Sequence, residues 1–343
     1  MQVKEALVAI VAGQHLSRTE SSALFARMMA GELTPGQIGG VLTALATKGE
    51  TAAEIAGAAD AMRAVSTKVQ TSATPLVDTC GTGGSGAKLF NISTAAAFVV
   101  AAAGAKVAKH GNRKMTSNSG SADVLEAAGA NVSLRPEQIA HCVEEVGIGF
   151  MFAQAHHSAM RHAGPVRQEL GVRTLMNILG PMTNPAGARS QVMGVFAADK
   201  LELVCEVLQL LGSEHVLVVH SQGLDEVRLD APSEVVELKD GAIRRYQVQP
   251  EDLGIATRSV DGIIADSTES SLKLIRQSLT DPDSAAADIV ALNAGAAIYA
   301  AGVARSWKMG VDMAQDAIAA GLANERLQEF VRITKLMGES NND

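Results

Sequence analysis

Aromatic side chains make up only 3% of the chain, so a core has to be assembled from Ala, Val, Leu, Ile and Met. Cysteine is scarcer still. Cys80, Cys142 and Cys205 lie far apart and form no CxxC pair. That excludes a disulfide framework and a multi-thiolate zinc site, and implies free thiols in a reducing compartment. Positive charge is also short, with 29 Lys and Arg against 37 Asp and Glu, a formal net charge of −8. A field of that sign repels nucleic acid and anionic membrane, and no basic stripe interleaved with aromatics opposes it. An anionic ligand would need a local basic cluster or a divalent cation. No apolar run can cross a bilayer: Ala95 to Ala105, about 11 residues, falls short of the roughly 20 required. The first residues, Met1 to Glu5, carry charge where a secretory signal would carry an apolar core. A cytoplasmic protein with no membrane or nucleic-acid partner is the expectation.

What the chain has in quantity is glycine, 32 residues in 343, and two contrasting stretches of pattern. From about 3 to 65 the apolar residues recur at helical spacing, as in Leu7, Ile10 and Val11. Ser17 to Glu20 reads as a capping box, Thr34-Pro35 as a helix start with Pro in the first turn, and Thr51 to Glu54 as another start. After Pro75 the pattern changes. Short strands are expected at Leu76 to Asp78, Lys106 to Lys109, Asn131 to Ser133 and His215 to His220. Helices are expected at Ala95 to Ala103, capped by Ser93-Thr94, and at Asp123 to Ala128, Pro136 to Val146 and Leu201 to Leu211. Two Ala-rich helices should fill Ala291 to Leu322. Alternating strands and helices predict an α/β fold, a mainly parallel central sheet flanked by helices. The resulting division is a small all-helical domain over 1–70, with 165–190 packing back on it, and a larger α/β domain over 71–164 and 191–343.

Five places carry residues suited to chemistry. Asp78 to Gly86 is a strand end running into glycines, which turns backbone N–H groups towards an anion but matches neither GxGxxG nor a Walker loop. Read alone, it is equally a structural turn. Asn91-Ile92-Ser93-Thr94 places hydroxyls at a helix start, where they cap the helix or meet a phosphate or metal-bound water. Lys109 to Lys114, followed by Thr116 to Ser121, is the densest basic and hydroxyl-rich stretch in an acidic chain and suits a polyphosphate. Asp225-Glu226, beyond a strand's carboxyl end, suits Mg²⁺, which takes a few carboxylates plus waters and substrate phosphates. Arg167 offers a fork for a planar carboxylate, and the nearby His156, His157 and His162 lack an HExxH spacing.

Taken together, these segments resemble the anthranilate phosphoribosyltransferase family of tryptophan biosynthesis. The likeness is carried by Gly81 to Gly84 with Phe90 to Thr94, by Lys109 to Arg113, and by Gly164 to Arg167 continuing through Asn177 to Pro185. Gly223 to Glu226 and Asn293 to Tyr299 also match, so the likeness runs nearly end to end. Ser85 and Leu89 stand where that family commonly has Asp and Thr. The resemblance implies transfer of the 5-phosphoribosyl group from phosphoribosyl pyrophosphate to the amino group of anthranilate, with Mg²⁺ as cofactor. It implies a donor site of Gly81, Gly84, Ser85, Leu89, Asn91, Ile92, Ser93, Thr94, Lys109, His110, Gly111, Asn112, Arg113, Lys114, Met115, Thr116, Ser117 and Ser121. It implies anthranilate contacts from Gly81, Asn112 and Arg167, and metal contacts from Ser93, Asp225 and Glu226. A homodimer through the helical domain follows from the same likeness, and no residue is implied in covalent or general-base catalysis. A pyrimidine nucleoside phosphorylase of the same broad fold is the rival, distinguished by its use of free phosphate and a nucleoside.

Overall fold

The computed structural model describes residues 2–83, 88–113 and 119–339. Four helices come first: α1 (Val3–Val11), α2 (Arg18–Met29), α3 (Pro35–Lys48) and α4 (Ala52–Ala64). Ser17, Thr34 and Thr51 are N-caps, each accepting from the N–H three residues on, with Glu20, Gln37 and Glu54 closing the box in return. Glu54 does more than cap. Its buried carboxylate also accepts from Leu16 N–H at 2.9 Å and pairs with Lys48 Nζ at 2.9 Å, tying the α1–α2 connection to the α3–α4 corner. Gly57 brings α4 against α2, where a side chain would collide with the Arg18 carbonyl.

The α/β part follows as β1 (Leu76–Gly81), α5 (Ile92–Ala102), β2 (Lys106–Gly111), α6 (Ser121–Ala127), α7 (Pro136–Glu145) and β3 (Ile148–Phe152). Short α8 (Ala153–His156), α9 (Met160–Leu170) and short α10 (Met176–Leu179) lead to β4 (Ser190–Gly194), α11 (Leu201–Leu210), β5 (His215–His220), β6 (Ser233–Lys239) and β7 (Ala242–Val248). Helices α12 (Thr268–Thr280), α13 (Ala285–Ala300), α14 (Trp307–Ala319) and α15 (Leu322–Glu339) complete the described chain. One seven-stranded sheet results, in the order β3-β2-β1-β4-β5-β6-β7. The first five strands pair in parallel, and β6 and β7 add an antiparallel edge. The strand order reverses direction between β1 and β4. In such a sheet, ligands settle in the crevice outside the carboxyl ends of those two strands.

Both faces of the sheet are covered, and β5 shows how. Leu217 and Val219 enter a core shared with α5 and α13, while Val216 and Val218 enter a second core shared with α11 and the N-terminal helices. The helical unit therefore continues the packing of one sheet face. Ala163 and Val166 of α9, with Leu175 and Met176, join that second core. Arg18 and Arg63 bolt the unit down, donating to the Leu210 and Leu211 carbonyls at the end of α11 at 2.7 and 3.3 Å. Cations at those orphan carbonyls also complement the helix dipole.

The expected fold class is the one found, but several local expectations are corrected. Asn131 to Ser133 forms no strand. The Asn131 side chain accepts from Ser133 N–H at 2.8 Å, and the Asn131 N–H donates to Thr334 Oγ1 at 3.2 Å, so a local turn takes the groups a ladder would need. The third parallel strand is β3 instead. Helix α5 starts at Ile92 with Asn91 at the N-cap position, so Ser93 and Thr94 lie inside the first turn and do not cap. Between 171 and 189 only α10 and a single turn at Gly180–Met182 are helical.

Candidate functional site

The carboxyl ends of β1 and β4 are closed by the segment carrying Asp225 and Glu226. A side chain at Gly81 would collide with the Asp225 carboxylate, and one at Gly194 with the Asp225 main chain. Two strand-end glycines thus make room for one acidic residue at the switch point. Gly83 N–H donates to Asp225 Oδ2 at 2.8 Å, and Thr82 N–H donates to the Gly194 carbonyl at 2.9 Å. The glycine run therefore hydrogen-bonds a carboxylate with the kind of backbone donor expected to face an anion.

Glu226 follows Asp225 and lies close to Ser93 in the first turn of α5, whose N–H and hydroxyl pull its pKa down. Burial, and then the neighbouring Asp225 carboxylate, raise the Glu226 pKa to about 8, against the pull of Lys109 and Ser93. Lys109 sits underneath, 1% exposed, donating to the Thr79 carbonyl at 2.5 Å and to Ser93 Oγ at 3.2 Å. Burial lowers the Lys109 pKa and the carboxylates of Asp78 and Glu226 oppose it. Asp78 is fully buried on β1; it accepts from Asn184 Nδ2 at 2.7 Å and from His110 N–H at 3.2 Å. Burial raises its pKa, with the Asn184 amide and Lys109 pulling the other way. Buried Lys109 and Asp78, with half-buried Ser93 and Glu226, thus form one polar cluster in which Lys109 and Asp78 are hydrogen-bonded.

The other expected donor residues are spread around this centre. Thr94 Oγ1 donates to Ser121 Oγ at 3.1 Å, joining the starts of α5 and α6. The Asn91 side chain links Ser119 and Ser271, both of whose hydroxyls donate to its Oδ1 at 2.7 Å. Ile92 turns its side chain into the core, and Leu89 packs against the same core while its backbone bridges Ile264. At Gly111 a side chain would crowd the Phe150 ring and Ser121. The Asn112 carbonyl accepts from Ala122 N–H at 3.2 Å. Arg113 forms a forked pair with Glu126 and lies over the Phe152 ring, 5.2 Å from its centroid. Gly84, Ser85, Lys114, Met115, Thr116 and Ser117 lie outside the described residues.

A second cluster was not singled out from the sequence. His110 and His157 meet edge to face with ring centroids 5.0 Å apart. Both are buried, yet among the described residues His110 Nε2 and both ring nitrogens of His157 have no hydrogen-bond partner. Burial first, and the neighbouring histidines next, depress His110 to about 3 and His157 to about 4, so both rings are neutral at physiological pH. His156 instead bonds the Thr67 carbonyl through Nδ1 at 2.7 Å. On α9, half-buried Arg167 pairs with no carboxylate among the described residues. Burial lowers its pKa, and the guanidinium still remains a cation. The legible signal for His157 was its place in the stretch leading to Arg167. Among the described residues no group of three or more His, Cys, Asp or Glu is placed to hold a metal ion.

Comparison with known proteins places this geometry. Residues 73–324 match the model of the glycosyl transferase family a/b domain, and residues 4–66 match that family's helical bundle domain. The anthranilate phosphoribosyltransferase of Ectopseudomonas mendocina is 55% identical over 99% of both chains. That of Teredinibacter turnerae is 54% identical over 98% of this chain and all of its own. Among solved structures, anthranilate phosphoribosyltransferase from Thermus thermophilus superposes with a TM-score of 0.92 at 42% identity, covering 96% of this chain and 99% of that one. The Saccharomyces cerevisiae enzyme, solved in complex with PRPP and Mg, shares the fold with a TM-score of 0.86 at 22% identity over 97% of each chain.

Proposed function

The chain belongs to the anthranilate phosphoribosyltransferase family and catalyses its reaction in tryptophan biosynthesis, and we propose that it does so with the groups gathered outside β1 and β4. The reaction breaks the bond between the ribose anomeric carbon and pyrophosphate. The anthranilate nitrogen lone pair forms the new bond to that carbon, and the nitrogen gives up one proton. The products are N-(5-phosphoribosyl)anthranilate and pyrophosphate. The observation that carries the placement is the convergence of Ser93, Lys109, Asp225 and Glu226 at the sheet's switch point.

The donor set fits Mg²⁺. Two adjacent carboxylates and a hydroxyl are hard oxygen ligands, few enough to leave room for waters and substrate phosphates. Burial and the adjacent Asp225 carboxylate both raise the Glu226 pKa, which suits a site where a cation is to be received. Asp225, Glu226 and Ser93 would hold the ion, and when bound it supplies charge neutralisation for the departing pyrophosphate. The remaining work falls to the protein. The positive end of α5 favours the donor's phosphates, and the Thr94–Ser121 hydroxyl pair lines the same end. Arg167 receives the anthranilate carboxylate as a charge-assisted fork, and the neutral His110 and His157 rings give the aromatic acceptor an uncharged wall. Anthranilate needs no activation beyond positioning, because its amine is already a neutral nucleophile.

Two finer features belong to the same reading. Val8 and Val11 on α1 are 62% and 72% exposed, which supports a homodimer joined through the helical unit. No helix among the described residues is long and apolar enough to cross a membrane, which supports a cytoplasmic site of action. Anthranilate fluorescence tests the function: it is lost when phosphoribosyl pyrophosphate and Mg²⁺ are added together and persists when either is omitted. Phosphorolysis of thymidine with no loss of anthranilate fluorescence would give the site to the nucleoside phosphorylase reading.

A further inference from the structure

Two adjacent carboxylates on an irregular segment repel each other, so something must hold the segment in place. Residues 221–230 contain no helix and no extended strand. The segment turns at Gln222 and Gly223, with φ of 45° and 86°, and Ser221 and Leu224 exchange both main-chain hydrogen bonds, at 3.0 and 2.9 Å. Beyond that turn the fixing comes from side chains. Ser221 Oγ donates to the Glu226 carbonyl at 2.9 Å. Asn293, reaching over from α13, takes both main-chain groups of the next residue. Its Oδ1 accepts from Val227 N–H at 2.9 Å, and its Nδ2 donates to the Val227 carbonyl at 3.0 Å.

Asn293 is an outlier in its helix. It is 3% exposed in the middle of a run of Ala, Ile, Leu and Gly, where a polar amide is costly unless paired. Here the amide is paired on both sides. Nδ2 also donates to the Ile289 carbonyl one turn back, at 2.8 Å. One N–H faces Oδ1 and two carbonyls face Nδ2, so the amide fits in one orientation only. The support beneath it is stiff. Trp307 Nε1 donates to the Leu292 carbonyl at 3.0 Å, and Gly295 lies so close to α14 that a side chain would meet Val311 N at 2.6 Å. The same helix packs along α5, which supplies Ser93. Thus α13 spans the two halves of the metal cradle, with α5 on one side and the Asp225–Glu226 segment on the other.

We propose that Asn293 is a positioning residue: by pairing both main-chain groups of Val227 it holds Glu226 against Ser93 and sets the affinity for the metal–donor complex. This rests on the reading of Asp225, Glu226 and Ser93 as the metal cradle. Mn²⁺ titrated in the presence of phosphoribosyl pyrophosphate, followed by its electron paramagnetic resonance signal, reads that affinity without turnover. Asn293→Ala should weaken Mn²⁺ binding about tenfold and raise the donor KM by a similar factor, because both hydrogen bonds to Val227 are lost. Its anthranilate KM should stay within about twofold of wild type, since the acceptor wall is untouched. Ser221→Ala, which removes one tether and leaves Val227 paired, should give about threefold. Emission of Trp307, the only tryptophan, reports whether α13 remains packed.

Unchanged Mn²⁺ affinity in a folded Asn293→Ala protein overturns the proposal, as does an equal rise in both substrate KM values. If Asn293→Ala fails to fold, Asn293→Ser and Ser221→Ala carry the same test, and unchanged Mn²⁺ affinity in both overturns it. Wild-type protein that binds Mn²⁺ with the donor but leaves anthranilate unconsumed would remove the transferase reading and leave the positioning claim standing. Wild-type protein that binds no Mn²⁺ would remove both.

Discussion

The two sides of the site are built in opposite ways. On the proposed donor side the buried Lys109 and Asp78 already have partners, Lys109 in Thr79 and Ser93 and Asp78 in Asn184 and His110. On the proposed acceptor side the polar atoms wait: among the described residues both nitrogens of His157 and Nε2 of His110 have no partner, and Arg167 is in no ion pair. The difference follows from the ligands. A donor with several negative charges and a metal ion demands a rigid, preorganised polar cradle, because unpaired charges there would be costly in the empty state. A small aromatic acid can be received by a neutral wall and one cation, whose hydrogen bonds are completed only on binding.

The largest expected effect breaks the donor side. Asp225→Asn with Glu226→Gln should lower turnover at about physiological Mg²⁺ by roughly a thousandfold, the loss of several kcal/mol of charge stabilisation, with the anthranilate KM nearly unchanged. Steady-state rates over a Mg²⁺ series check this, and unaltered turnover at low Mg²⁺ would remove the metal role. Next comes the acceptor side. Arg167→Ala should raise the anthranilate KM by about ten- to a hundredfold, as expected for a lost charge-assisted pair of hydrogen bonds, and leave the donor KM as it is.

A pH series sharpens the contrast. The Glu226 pKa is raised to about 8, and the carboxyl must be ionised to hold the metal. Protons therefore compete below that pH: the apparent Mg²⁺ activation constant should rise about tenfold for each unit of acidification and level off above about 8. The anthranilate KM, which depends on an arginine that stays charged, should be flat from about pH 6 to 9. The smallest effect concerns stability. His157→Leu removes two unpartnered buried nitrogens and should raise the unfolding free energy by about 1 kcal/mol. A fall of that size in the denaturant midpoint analysis would mean the ring is paired after all.

How much of this was legible varied with the kind of signal. Helix starts were, because Ser17, Thr34 and Thr51 cap by rules that act over three residues. The buried strand β5 was, because its apolar run covers both faces. Strands β3, β4 and the β6–β7 edge were not, since short segments are chosen by their neighbours across the sheet and not by local pattern. Asn131 to Ser133 looked like a strand and became a turn when Asn131 bonded its own backbone. In the site, Lys109, Ser93 and Asp225-Glu226 stood out by residue type and now meet in space. Arg113 stood out equally and is turned to Glu126. Asn293 entered only as the start of a matching run and His157 only as a neighbour of Arg167, neither with a role attached. Their meaning lies in long-range contacts, to Val227 and to His110, that spacing along the chain does not encode.

The central claim is that donor and acceptor are held by separate walls. Calorimetric titration of Arg167→Ala with Mg²⁺ and phosphoribosyl pyrophosphate, in the absence of anthranilate, tests it most directly. The account predicts the wild-type donor affinity, and loss of donor binding in that variant would contradict it.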